Sequence, residues 1–183
     1  MNENKITIPK NAMNYGAITG IILFLVFIVG SMTGNPDSMA IKIAGWVVIA
    51  LGIFVGSKNF RDKQMEGFMT YGQAFHSGFL ISFFCSVIVA FTTFLYIKFV
   101  DSSMIDLVME KAEQQMMDSG KSDEQIEQAK HMMQMFSNPT AIAIFTVIGY
   151  TVTGAILSLI TASFLKKEKP GNGSFDNFIQ QNQ

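Results

Sequence analysis

The sequence predicts an all-α protein: a four-helix transmembrane bundle with an extracytoplasmic helical hairpin inserted between helices 3 and 4. Three observations predict it. Hydrophobic residues make up 49% of the 183 residues and charged residues only 15%, where soluble domains carry about 25% charged residues. The apolar residues fall in four blocks, each close to the ~20 residues that a ~30 Å hydrocarbon core requires. Together the blocks cover about half of the chain, more all-round apolar helix than so small a soluble core could bury. The same figures exclude a disordered chain. A net charge of −1 argues against nucleic acid as a partner, and a single cysteine against a disulfide scaffold. A soluble globular enzyme fits poorly.

The first span covers about 12–32. Lys5 and Lys10 precede it, and Gly34, Asn35 and Pro36 end it with turn chemistry. A rival reading makes it a cleaved signal peptide with Val29-Gly30-Ser31 as the small-residue site. The length of the stretch, and Gly16 and Gly20 within it, oppose that reading. The second span covers about 38–57. Lys42 lies one turn inside it, where an ammonium can snorkel to the interface. Trp46 follows one turn later on the same face, at a depth suited to an interfacial aromatic.

The third span covers about 74–97. Its ionisable side chains are His76, Cys85 and Tyr96, and Phe75, Phe79 and Phe83 form a bulky stripe. The fourth covers about 140–165. Asn138 can cap it, Pro139 suits its first position, and Lys166, Lys167 and Lys169 close it at the water surface. The chain thus divides into an N-terminal segment (1–11), a membrane domain (12–169) and a disordered cytoplasmic tail (170–183).

Residues 98–139 are the sizeable polar region, with 8 acids and 4 lysines. They read as a helical hairpin. Met104, Val108, Ala112 and Met116 keep helical spacing, and Gly120 is a natural stop. Ser122 with Gln125 is a capping-box signature, and Ile126, Ala129, Met133 and Phe136 continue an apolar stripe. The hairpin is expected to cap the bundle or to extend spans three and four outward. Asp106, Glu110 and Glu113 are expected on the face opposite the apolar one.

Four spans put both termini and the middle loop on one side. That side holds 8 of the 13 basic residues, so it is expected to be cytoplasmic. The protein then sits in the inner (cytoplasmic) membrane, multi-pass, with the hairpin outside.

Several stretches carry a family likeness. They include the glycine-bearing first span, Tyr71-Gly72-Gln73-Ala74-Phe75 opening the third, and the run from Ser122 to Ala129. Phe136-Ser137-Asn138-Pro139 and Leu165-Lys166-Lys167-Glu168-Lys169-Pro170 complete it. In these the chain resembles the bacterial membrane proteins catalogued as domain of unknown function 4199, over about residues 10–169. The resemblance implies four spans and a bacterial membrane. It brings no activity, cofactor or site residue with it.

Helix packing is the strongest local signal. Gly16 with Gly20, Gly52 with Gly56, and Gly154 with Ser158 and Ala162 put small residues on one helix face, which lets backbones approach closely in lipid. Packing within the monomer is the plain expectation; a homodimer interface is the sharper one.

His76, expected in the first turn of span three, invites a proton-relay reading. No Asp or Glu lies inside a span to partner it, so a packing or interfacial histidine is preferred. His131, Met132 and Met135 invite a Cu(I) reading, but on a helix Met132, Met133 and Met135 point in different directions, and methionine also fills irregular apolar gaps. Asp106, Glu110 and Glu113 could hold a hard cation, yet lack a dedicated loop; a solvated acidic face is preferred. Span hydroxyls such as Thr92 and Thr93 either line a polar path or bond back to their own helices. No catalytic residue, metal site or cofactor is expected.

The expected function is therefore non-catalytic: a scaffold or accessory subunit acting through helix association in the lipid bilayer, with a second copy or another membrane protein as partner. The alternative is a small oligomeric transporter or channel with a polar path near His76 and the span-three threonines.

Overall fold

The computed structural model describes residues 6–33 and 38–168. The Gly34-Asn35-Pro36 turn, Lys5, Lys169 and the tail from residue 170 lie outside them. Among the described residues, six helices follow in order: α1 (Ile8–Met32), α2 (Met39–Gln64), α3 (Tyr71–Phe99), α4 (Ser103–Asp118), α5 (Asp123–Phe136) and α6 (Pro139–Leu165). Of these, α1, α2, α3 and α6 are long and apolar enough to cross a membrane.

The starts follow from local chemistry. Pro9 stands in the first turn of α1, where a missing N–H costs nothing. The Ser38 hydroxyl accepts from Ile41 N–H at 3.4 Å to open α2. At α3, Thr70 and Gln73 cap each other's backbone reciprocally, so this helix begins three residues before the expected span. Ser122 and Gln125 do the same for α5, and Asn138 accepts from Ala141 N–H at 2.9 Å to start α6 on Pro139.

The central helix is α3, which packs against α1, α2 and α6. Among the four long helices, α1 also packs on α2 and α2 on α6, which closes a four-helix bundle. One end of it is stitched together. Ile6 N–H donates to Gln64 Oε1 (3.1 Å), Arg61 Nη1 donates to the Leu165 carbonyl (3.3 Å), and Met69 and Lys167 exchange backbone bonds of 2.8 and 2.9 Å. The start of α1, the α2–α3 connection and the exit of α6 therefore share this terminal end. The α4–α5 hairpin stands at the other.

Small residues pack inside and large apolar ones face outward. An added Cβ on Gly16 would lie 2.8 Å from the Ile81 carbonyl oxygen, and one on Gly20 would lie 2.8 Å from Ile88 Cβ. Ser57, Ser77 and Ser158 are fully buried, while Leu25, Leu51, Phe91, Ile156 and Phe164 are exposed. In water that arrangement would be unstable. In lipid, large side chains gain nothing by hiding, and close backbone approach supplies the dispersion contacts.

In the hairpin, Gly120 takes φ +71° with nothing within 4 Å of an added Cβ. Its requirement is purely conformational. Gly120→Val should cost about 1–2 kcal/mol locally, measured as faster proteolysis at Lys121 with the melting of the bundle unchanged.

Candidate functional site

An opening in the bundle lies toward the hairpin end. There α2 and α6 part: among the described residues, none of α2 before Ile49 and none of α6 before Gly154 is buried. Toward the terminal end the two helices close through Phe60, Ala162 and Leu165. The divergence leaves a cavity of about 670 Å³ between α1, α2, α3 and α6, with Leu107 of α4 at its rim. Lys42 and Trp46 line one wall, Thr146, Gly149, Tyr150 and Thr153 another, and Thr93 and Ile97 the back.

Beyond Ile49 and Thr153, the last lining residues of α2 and α6, the small-residue seam begins. Gly154 packs on Ser82, Gly52 packs on Thr19, and an added Cβ on Gly78 would lie 2.7 Å from Ser158 Oγ. The hydroxyls of the seam are already engaged. Thr19 donates to the Tyr15 carbonyl (2.7 Å), Ser82 to Gly78 (2.8 Å) and Ser158 to Gly154 (2.7 Å). Two hydroxyl pairs join helices, Ser57 with Ser77 at 3.1 Å and Ser86 with Thr151 at 3.0 Å. At the edge of the bundle, Asn11 Nδ2 donates to the Gly56 carbonyl at 3.0 Å, and Asn59 bonds the Tyr15 hydroxyl.

The structure places the residues singled out in the sequence as follows. Gly16 and Gly20 face α3, Gly52 faces α1, Gly56 faces both α1 and α3, and Gly154 faces α3. Ser158 and Ala162 are buried beside them. All these contacts lie within one chain. His76 is exposed. Because α3 starts at Tyr71, it stands in the second turn, not the first. Thr93 lies seventeen positions further along α3, about 25 Å along the axis, so the two do not meet. Thr92 bonds back to the Ile88 and Val89 carbonyls; Thr93 faces the cavity.

His131, Met132 and Met135 are exposed on α5. The acidic stripe is corrected: Asp106 and Glu110 are exposed, but Glu113 turns to α5 and accepts from Lys130 Nζ at 2.8 Å. The hairpin partner captures the third carboxylate. No group of three or more His, Cys, Asp or Glu side chains that could hold a metal occurs among the described residues.

Sequence reasoning missed Tyr150 and Gly149. The signal was there in the spacing. Thr146, Gly149, Tyr150 and Thr153 fall at i, i+3, i+4 and i+7, a small and polar face toward the hairpin end of α6.

A family model described as protein of unknown function (DUF4199) matches residues 14–167. The chain belongs to that family. The matched stretch takes in α1 from Asn14 on, the other three long helices, the hairpin and the whole lining of the cavity. No curated protein and no solved structure matches the chain.

Proposed function

We propose that this is a non-catalytic membrane protein, a scaffold or accessory subunit of the bacterial inner membrane that works by association. Both termini lie in the cytoplasm and the hairpin outside. The observation that carries the reading is the hairpin surface. Met117, Met132, Met135 and Phe136 are 50–62% exposed there, outside the long apolar helices. Met132, Met135 and Phe136 fall at i, i+3 and i+4 on one face of α5, and an exposed apolar face of this kind supports an interaction site. The hairpin is braced on itself by the Glu113–Lys130 pair and meets α6 through the Phe136–Phe145 ring contact at 5.9 Å, so most of it is available to a partner. The polar side chains of the spans support the same reading, since the seam hydroxyls serve packing.

The test is photo-crosslinking in intact cells from positions Met132 and Met135. A discrete protein adduct, lost when Met117 and Phe136 are replaced by serine, is expected; adducts with lipid alone would refute association through the hairpin. Orientation has its own all-or-none check. In a Cys85→Ser background, a membrane-impermeant maleimide should label Ser119→Cys in intact spheroplasts and Lys63→Cys only after lysis. The reverse pattern would invert the topology.

A second reading, a small oligomeric transporter or channel, draws on Thr93 in the cavity wall. A path from there to His76 has to cross the glycine seam. Ion or solute flux in proteoliposomes that falls in both Thr93→Val and His76→Ala would favour it.

A further inference from the structure

Two helices that meet at one end and part at the other leave a wedge, and a bilayer fills a wedge. The gap between α2 and α6 opens sideways: Trp46 and Phe145 stand at the cavity edge, 59% and 55% exposed. At about 670 Å³ the space falls within the ~300–1,000 Å³ of small-molecule sites.

Its chemistry is one-sided. Among the described residues that line it, Lys42 carries the formal charge and none is acidic. Lys42 stands in the first turn of α2 at the hairpin end, the level of lipid headgroups, which its long stem can reach. It has an interaction of its own, and an ammonium has three donors to share. Below it the wall is apolar, apart from hydroxyls. Span hydroxyls elsewhere mostly bond back to their own helix, as Thr92, Ser158 and Thr161 do. Thr93 and Tyr150 have no hydrogen-bond partner among the described residues, and both face the cavity.

We propose that this cavity is a lateral binding site for an anionic phospholipid, which inserts an acyl chain between α2 and α6 and sets its headgroup against Lys42. Thr93 and Tyr150 supply donors for the ester carbonyls beneath. The closed seam at Gly52 and Gly154 ends the chain's path. The site stands whether or not the hairpin recruits a partner.

Trp46 is the only tryptophan and lines the cavity, so it reports on its occupant. The full chain is reconstituted in phosphatidylcholine vesicles containing a small fraction of phosphatidylglycerol or phosphatidylcholine brominated on the acyl chains. Brominated phosphatidylglycerol should quench Trp46 with roughly five-fold higher apparent affinity, the scale of one lysine at an anionic surface. Lys42→Gln should remove the preference. Gly149→Leu should also remove it with Lys42 in place, because the new side chain enters the cavity, where an added Cβ meets nothing within 4 Å. Thr93→Val, close to isosteric, should weaken quenching by both brominated lipids alike and leave the preference in place, because both carry the ester carbonyls.

Equal quenching by the two lipids would overturn the proposal. So would a preference that survives Gly149→Leu, which would place the anion at the general surface. Quenching confined to a free brominated fatty acid would overturn the phospholipid assignment. Trp46 shielded from every brominated probe would assign the wedge to a protein segment instead.

Discussion

Gly16→Val is expected to destabilise the bundle more than any other single substitution within the spans. The reason is what the new side chain meets. A Cβ at Gly16 would lie 2.8 Å from the Ile81 carbonyl oxygen, 3.0 Å from the Cys85 nitrogen and 2.7 Å from Phe84 Cβ. Two of these are backbone atoms, and no rotamer change moves them. The helices α1 and α3 must separate, which loses the contacts that Gly20 makes along the same face. Overpacking generally costs about 1–3 kcal/mol, and a clash against backbone sits at or above the top of that range. The protein carries its own probe. Cys85 is its only thiol and is 2% exposed, so a thiol-reactive fluorogenic dye reads melting directly. Gly16→Val should melt far below the natural protein or fail to remain monodisperse. Gly72→Ala, where an added Cβ meets nothing within 4 Å, should hold or gain slightly, by up to ~1 kcal/mol from helix propensity. Equal melting of the two variants would mean that α1 does not pack on α3 at Gly16.

The same contrast shows what the sequence could reveal. The four long helices were legible because lipid demands an unbroken apolar run, and composition alone displays it. The caps at Ser122 and Asn138 were legible because they are local. The extent of α2 was not. The hydropathy of its span stops at Ser57, while the helix continues through Lys58, Asn59 and Arg61 to Gln64. Charges end a span but not a helix, and this last stretch is held by buried Phe60 and by Arg61 on the Leu165 carbonyl. The partner of Glu113 was hidden too, because Lys130 lies 17 residues away across a turn. Spacing shows which face a residue occupies, not what is brought to it. The cavity is the extreme case. Each wall reads as an ordinary span face, and the opening arises only from the angle between α2 and α6. That angle follows from where the small residues stop: Gly154, Ser158 and Ala162 draw α6 inward over its second half, and its first half has no such seam.

The second large effect tests the solvent itself. Ile81 is fully buried at 0% exposure, and an added Cβ on Gly56 would lie 2.7 Å from its Cδ1. In a water-soluble core, Ile→Ala costs about 2–5 kcal/mol, part transfer to water and part cavity. Here the separated helix would face hydrocarbon, not water, so the transfer part falls away. The void remains, because the glycines around Ile81 cannot fill it. Ile81→Ala should therefore cost about 1–3 kcal/mol, carried by lost dispersion contacts, when melting is followed in lipid nanodiscs. Phe91→Ala supplies the opposite limit. Phe91 is 59% exposed and exchanges one apolar neighbour, lipid, for more of the same, so its removal should be close to neutral. In water, deleting so exposed a phenylalanine would improve solubility and leave less surface to aggregate. A clear gain in stability from Phe91→Ala, together with a full soluble-core penalty at Ile81, would contradict a bundle whose outer face is built for lipid. Small residues inside and bulky ones outside are stable together only if the medium around the bundle is as apolar as the side chains that face it.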